Sequence, residues 1–139
     1  MDAAPRFRLE VIARPEDIDL LGHVSNITYV RWIQEVAEAH STSLGWDHAA
    51  YVALGAVFVV RRHEIDYRAP AMVGDRVALT TWAGEWRAAS AFRHTEIANA
   101  ATGAPLASAV TTWALVATEG GRPRRIPDAL RLPFCTATP

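Results

Sequence analysis

Cysteine is all but missing from this chain: Cys135 stands alone, so no intramolecular disulfide is available and the expectation is a protein of the reducing cytoplasm. No apolar run approaches the ~20 residues that a membrane-spanning helix needs. The opening residues, Met1-Asp2-Ala3-Ala4-Pro5-Arg6, carry no apolar stretch of the signal-peptide kind. Charge of one sign is lacking as well: 14 Lys and Arg against 15 Asp and Glu leave −1, which gives no basic field for nucleic acid. There is no glycine-rich phosphate loop and no Gly-x-Ser-x-Gly turn for a serine nucleophile. The five histidines, His23, His40, His48, His63 and His94, show no zinc-type spacing with Cys or acidic residues, so neither a metal nor another cofactor is expected.

What is present is enough apolar material for one core. A chain of 139 residues that is 50% hydrophobic reads as a single globular domain over 1–139. Its core is expected over about Arg6 to Leu130, followed by a Pro-containing C-terminal tail in which Cys135 is a free thiol. Arg6 to Ala13 alternates as a first strand. Asp47 to Leu54 reads as a short helix or turn closed by Gly55. Period-two patterning then gives strands over Ala56 to Arg68, Arg76 to Glu85, Ser90 to Asn99 and Leu106 to Thr118. Val73-Gly74-Asp75 and Gly120-Gly121-Arg122-Pro123 are the breakers. On this reading Arg61 and His63 share a strand face with Val57, Val59, Ile65 and Tyr67.

One long helix precedes the four later strands. Ile27, Val30, Ile33, Val36, Ala37 and Leu44 recur at helical steps, Tyr29, Trp32 and Val36 form a second apolar flank, and Arg31, Glu35, Glu38 and Thr42 make the polar edge. Ser25 or Asn26 is the N-cap and Gly45 the stop. Into this helix runs Asp17-Ile18-Asp19-Leu20-Leu21-Gly22-His23-Val24. The first helical turn offers unpaired N–H donors and a partial positive charge, which stabilise an oxygen that turns negative. Asp19, a few residues upstream, is ionised at neutral pH and can attack a carbonyl carbon or take a proton from water. Gly22 permits a sharp turn and close approach of a ligand. The same residues also serve as ordinary turn and cap formers, and on composition alone that reading is sufficient.

A long apolar helix followed by meandering strands implies an α+β arrangement, a curved antiparallel sheet of about five strands around the helix. The order and spacing of Asp19-x-x-Gly22, Tyr29-x-x-Trp32, Tyr67-x-x-Pro70, Gly74-Asp75, Glu85-Trp86-Arg87 and Pro123-Arg124-Arg125-Ile126-Pro127 resemble the hotdog-fold thioesterases, specifically the 4-hydroxybenzoyl-CoA and short-chain acyl-CoA group. The resemblance spans roughly Arg6 to Leu130. It implies a hotdog fold, hydrolysis of an acyl-CoA or acyl-carrier-protein thioester without a cofactor, and pairing into a homodimer or homotetramer. It puts the catalytic carboxylate on Asp19 and the backbone N–H that polarises the thioester on Asn26. Gly22, Tyr29 and Trp32 would line the acyl site, although aromatic residues at helical spacing more often pack than recognise.

The fit is imperfect. The related plant acyl-carrier-protein thioesterases resemble Asp-x-Asn-x-His-Val-Asn-Asn here, and Leu21 stands where that pattern has its first Asn. His23 then has two equal readings, a base or water-orienting group and a loop residue bonded to backbone. Asp17 is read as structural, and Glu35 as a surface ion pair with Arg31. A thioester carrier bears phosphates, so basic residues should stand at the pocket mouth: Arg87 first, Arg93, Arg122, Arg124 and Arg125 after it, and Arg61 and His63 if their strand faces a partner chain. A hotdog hydratase and a non-catalytic acyl-thioester binding or dimerisation module are the competing functions.

Overall fold

The computed structural model describes residues 4–136; the leader reading at residues 1–3 lies outside them. Strand β1 (Phe7–Ile12) and a single 3-10 turn (Pro15–Asp17) lead to helix α1 (Asn26–Ser43) and helix α2 (His48–Leu54). Strands β2 (Ala56–Tyr67), β3 (Arg76–Trp86), β4 (Ser90–Asn99) and β5 (Pro105–Ala117) follow, and helix α3 (Asp128–Cys135) closes the chain. The strands form one antiparallel sheet in the order β1-β3-β4-β5-β2. Both edges, β1 and β2, are without a further strand among the described residues. This is the hotdog fold, with α1 lying along the concave face.

The register shows which side chains face the helix. Leu9, Leu79, Ile97 and Ala107 stand side by side on β1, β3, β4 and β5, and Tyr67 completes the row on β2. Against these rows α1 buries Tyr29, Trp32, Ile33, Val36 and Ala37. Ile27, expected to begin the core stripe, is 79% exposed; the rest of the buried face combines Ile33, Val36 and Ala37 of that stripe with Tyr29 and Trp32 of the flank. The cap is Ser25, whose Oγ accepts from Ile27 N at 3.1 Å. Gly45 follows with φ +89°, a left-handed stop that glycine adopts without strain.

Two expectations are corrected. β2 is not one uninterrupted alternation: its pairing with β5 shifts between Val60 and Arg62, so Arg61 is an extra residue, a β-bulge. Beyond the bulge the faces exchange, and His63, Ile65 and Tyr67 share the concave side with Val60 and Phe58, not with Val57 and Val59. Arg61 itself is exposed. The C-terminal segment, in turn, is no tail. Leu130 and Phe134, four residues apart on α3, are 0% and 3% exposed and pack with Ala56, Leu115 and Ile126. Pro133 near the end of so short a helix removes one backbone bond, a loss outweighed by burying two large side chains.

Candidate active site at the start of helix α1

The loop from Asp17 to Ser25 is held from three sides. Asp17, 2% exposed, accepts from Arg14 N at 3.0 Å and from Arg31 Nη2 at 2.7 Å. Burial of this carboxylate raises its pKa, but the Arg14 amide and the Arg31 guanidinium outweigh that and hold it below the ordinary 3.8. Ser25 N donates to the Asp17 carbonyl at 2.8 Å, which fixes the cap that starts α1. Val24 N reaches the Ala71 carbonyl at 2.9 Å, and Ala71 N donates to the Tyr29 hydroxyl at 3.0 Å. The segment after β2 is thereby pinned across the helix start.

Within that frame Asp19 closes a small turn on itself. Its Oδ1 accepts from Leu21 N at 2.9 Å and His23 N at 3.3 Å, while Asp19 N donates to the His23 carbonyl at 2.8 Å. Gly22 makes the reversal possible at φ +83°. Oδ2 accepts no hydrogen bond among the described residues. Asp19, His23, Asn26 and Tyr29 line one cleft of about 320 Å³, with Tyr67, Arg68, Ala69 and Pro70 as its far wall. The Asn26 N–H, first of the helix, has no acceptor among the described residues, so two residues that line the cleft each keep an unbonded group, the Oδ2 of Asp19 and the N–H of Asn26. The Tyr67 hydroxyl points at the Asn26 carbonyl, 3.5 Å away.

The profile of the thioesterase-like superfamily matches residues 13–134. The chain belongs to that superfamily. Among solved structures the thioesterase-like chain is similar to a 1,4-dihydroxy-2-naphthoyl-CoA thioesterase from Synechocystis, with 22% identity, TM-score 0.86 and coverage of 94% of this chain and 96% of that one. A DHNA-CoA thioesterase from Staphylococcus aureus gives 19% identity and TM-score 0.80 over 86% and 80% of the two chains. A gentisyl-coenzyme A thioesterase gives 20% and 0.82 over 92% and 99%. No curated protein sequence matches the chain.

Of the residues singled out in the sequence, the thioesterase-like fold brings Asp19, His23, Asn26 and Tyr29 to one cleft and leaves the others elsewhere. Gly22 shapes the loop without lining the cleft. Trp32 is 2% exposed in the core, edge-on to Tyr29 at 5.5 Å between centroids. His63 turns inward and shares a 2.9 Å hydrogen bond with Thr111 Oγ1; burial pushes its imidazole pKa down. Arg87 sits at the β3–β4 hairpin, 5.2 Å over the Phe92 ring, at the end of the sheet away from Asp19. Arg93, read as a surface residue at a pocket mouth, is instead 8% exposed. The Tyr67 to Pro70 wall was visible only as a strand stop; nothing in a single sequence says that this stop folds back against the helix start.

Proposed function

We propose that this chain is a thioester hydrolase that works at the cleft where α1 begins. The observation that carries the reading is that Asp19 and Asn26 line one cleft, the first with an unbonded Oδ2 and the second with an unbonded N–H. In the reaction an oxygen, either of Asp19 or of a water deprotonated by it, adds to the thioester carbon. The carbonyl oxygen takes up the electron pair and is stabilised by the Asn26 N–H and the helix dipole. Collapse expels the thiolate, which takes the proton held by Asp19 in the water-mediated route; in the direct route it leaves a mixed anhydride on Asp19, which water opens to the free acid and the Asp19 carboxylate, its proton going to the thiolate. Superfamily membership and solved neighbours named as CoA thioesterases support an acyl-CoA substrate.

His23, half-buried in the same cleft, would orient the attacking water, and Tyr29 would close the floor. We assign Trp32 to the core beneath it. A homodimer joined along the free edge of β2 would cover the exposed Leu20, Leu21, Ile27 and Tyr67, which cluster on this side and otherwise leave apolar surface in water. In such a pair Arg61 and Arg87 would meet the carrier only from the partner's side, while His63, turned inward onto Thr111, would stay within its own sheet face.

The test is thiol release from aromatic and aliphatic acyl-CoAs. The wild type should turn over at least one, and Asp19→Asn should lose ~100-fold or more in kcat, the scale of a general base. Equal turnover by both proteins would remove Asp19 from the chemistry. A single turnover in ¹⁸O-water tests the covalent route: label in the Asp19 carboxylate marks an anhydride opened at the Asp19 carbon, and label confined to the released acid excludes that opening.

A further inference from the structure

The opposite end of α1 holds a larger cavity that the hydrolysis does not use. It encloses about 430 Å³ between the last turns of α1, helix α2 and the concave sheet, within the range of small-molecule sites. Its aromatic lining is Trp46, Tyr51, Phe58, Trp86, Trp113 and Phe134. The space exists because Ala37, Ala83 and Ala91 stand where larger side chains would fill it. From Asn26 to Ser41 the helix rises roughly 20 Å, so this cavity and the Asp19 cleft do not overlap.

One polar group in it is unfinished. Arg93 is 8% exposed, and among the described residues its hydrogen bonds run from Nη1 alone, to His40 Nδ1 at 2.9 Å and Thr81 Oγ1 at 3.1 Å. Nε and Nη2 make no hydrogen bond and no carboxylate pairs with this cation among the described residues. Phe134 offers only a ring face, 5.6 Å from the guanidinium carbon. Burial lowers the Arg93 pKa to about 10, so the charge is retained at neutral pH. A buried, unpaired cation is costly, and the cost falls when an anion arrives. Trp113 Nε1, a donor with no acceptor among the described residues, is itself shut off from the cavity, which the indole meets with its carbon surface. Ala91 faces Trp113 and Arg93 faces Thr111 across β4 and β5, so Trp113 and Arg93 are diagonal neighbours on the concave side, with Cβ atoms ~7 Å apart.

A guanidinium fork at the floor of an aromatic box matches a planar ring bearing a carboxylate. We propose that this cavity is a binding site for an aromatic monocarboxylate, held by Arg93 through its carboxylate, with the ring packed among Trp86, Phe58 and Phe134. The rim carboxylates oppose this little: Glu38 and Asp47 are exposed, and Asp47 Oδ1 is engaged by Ala50 N at 2.9 Å. The proposal stands on this cavity alone and holds whether or not the Asp19 cleft hydrolyses thioesters.

Calorimetric titration with 2-naphthoate tests it, against 2-naphthamide and hexanoate as controls. Saturable one-to-one binding of naphthoate, with each control ~10-fold weaker or worse, is expected, because a charge-assisted bond is worth at least that factor. Arg93→Gln should abolish the preference for the anion, and Asp19→Asn should leave binding unchanged. Should Arg93→Gln not fold, Ala91→Leu, which fills the box without touching the charge, should abolish naphthoate binding, and the amide comparison still decides. No binding to the wild type, equal binding of the amide or of hexanoate, or loss of binding in Asp19→Asn each overturns the assignment.

Discussion

Single residues in this chain do their work through backbone groups. Ser25 is legible as a cap from sequence, because its hydroxyl meets an orphan N–H of the first turn, and Asp19 is legible as a carboxylate upstream of that turn. The sequence already reads Asp17 as structural and Asp19 as the reactive carboxylate; what it does not show is the partner that separates them, since Arg31, read as pairing with Glu35, also reaches the buried Asp17. The difference lies in Arg31, which comes from a helix folded back over the loop. Replacing Arg31 by Met should leave the Asp17 carboxylate buried with only its Arg14 amide, at a cost of about 1–3 kcal/mol. Urea unfolding should show this as a lower midpoint, and kcat with acyl-CoA should fall as the loop that holds Asp19 loosens. The same midpoint with normal kcat would make the ion pair purely structural. Ser25→Ala should cost about 1 kcal/mol by the same measurement.

Elements explain both the success and the failure of reading this fold from its sequence. β4 runs from Ser90 to Asn99, as its alternation states, since Ala91, Arg93, Thr95 and Ile97 all face inward and nothing interrupts the period. β2 alternates just as clearly, yet its faces were misread, because an extra residue at Arg61 leaves each half regular and changes only their relation. A bulge depends on β5, so it has no local signature. Deleting Arg61 removes the extra residue and sets Val60 and Arg62 side by side opposite Trp113 and Thr112, with Phe58, Val60, His63, Ile65 and Tyr67 all keeping the concave face. The expected outcome is a variant that retains a cooperative unfolding transition and the native near-ultraviolet circular dichroism. Loss of both would show that β2 needs the bulge to follow the curve of the sheet. α3 was missed for another reason: Pro133 argues against a helix locally, while Leu130 and Phe134 gain their energy only where Ala56 and Leu115 await them.

At the scale of the whole molecule, stability depends on a histidine far from the proposed chemistry. His40, 4% exposed, lies stacked on Phe7 at 5.2 Å, edge-on to Phe134 at 5.1 Å, and accepts from Arg93. Because a guanidinium only donates, His40 Nδ1 carries its lone pair and the ring is neutral. Burial first, and the Arg93 charge second, push its pKa down from 6.5 to about 4. The unfolded chain therefore binds a proton that the folded chain refuses between these values, and folding stability is complete above pH 6.5 and falls as the pH drops toward 4. One proton sets a ceiling of about 1.4 kcal/mol per pH unit on that slope. Asp17, whose pKa is held below 3.8, adds its loss only at lower pH, so the two windows separate. Urea midpoints at pH 7, 6, 5 and 4 should decline for the wild type and stay flatter for His40→Gln, whose amide oxygen can still accept from Arg93. An equal decline in both would move the acid sensitivity elsewhere. Where the decline is carried by His40, protonation of its ring next to Arg93 joins two cations at the floor of the aromatic cavity, so occupancy of that cavity by a carboxylate should raise the midpoint most on the acidic side of pH 6.5.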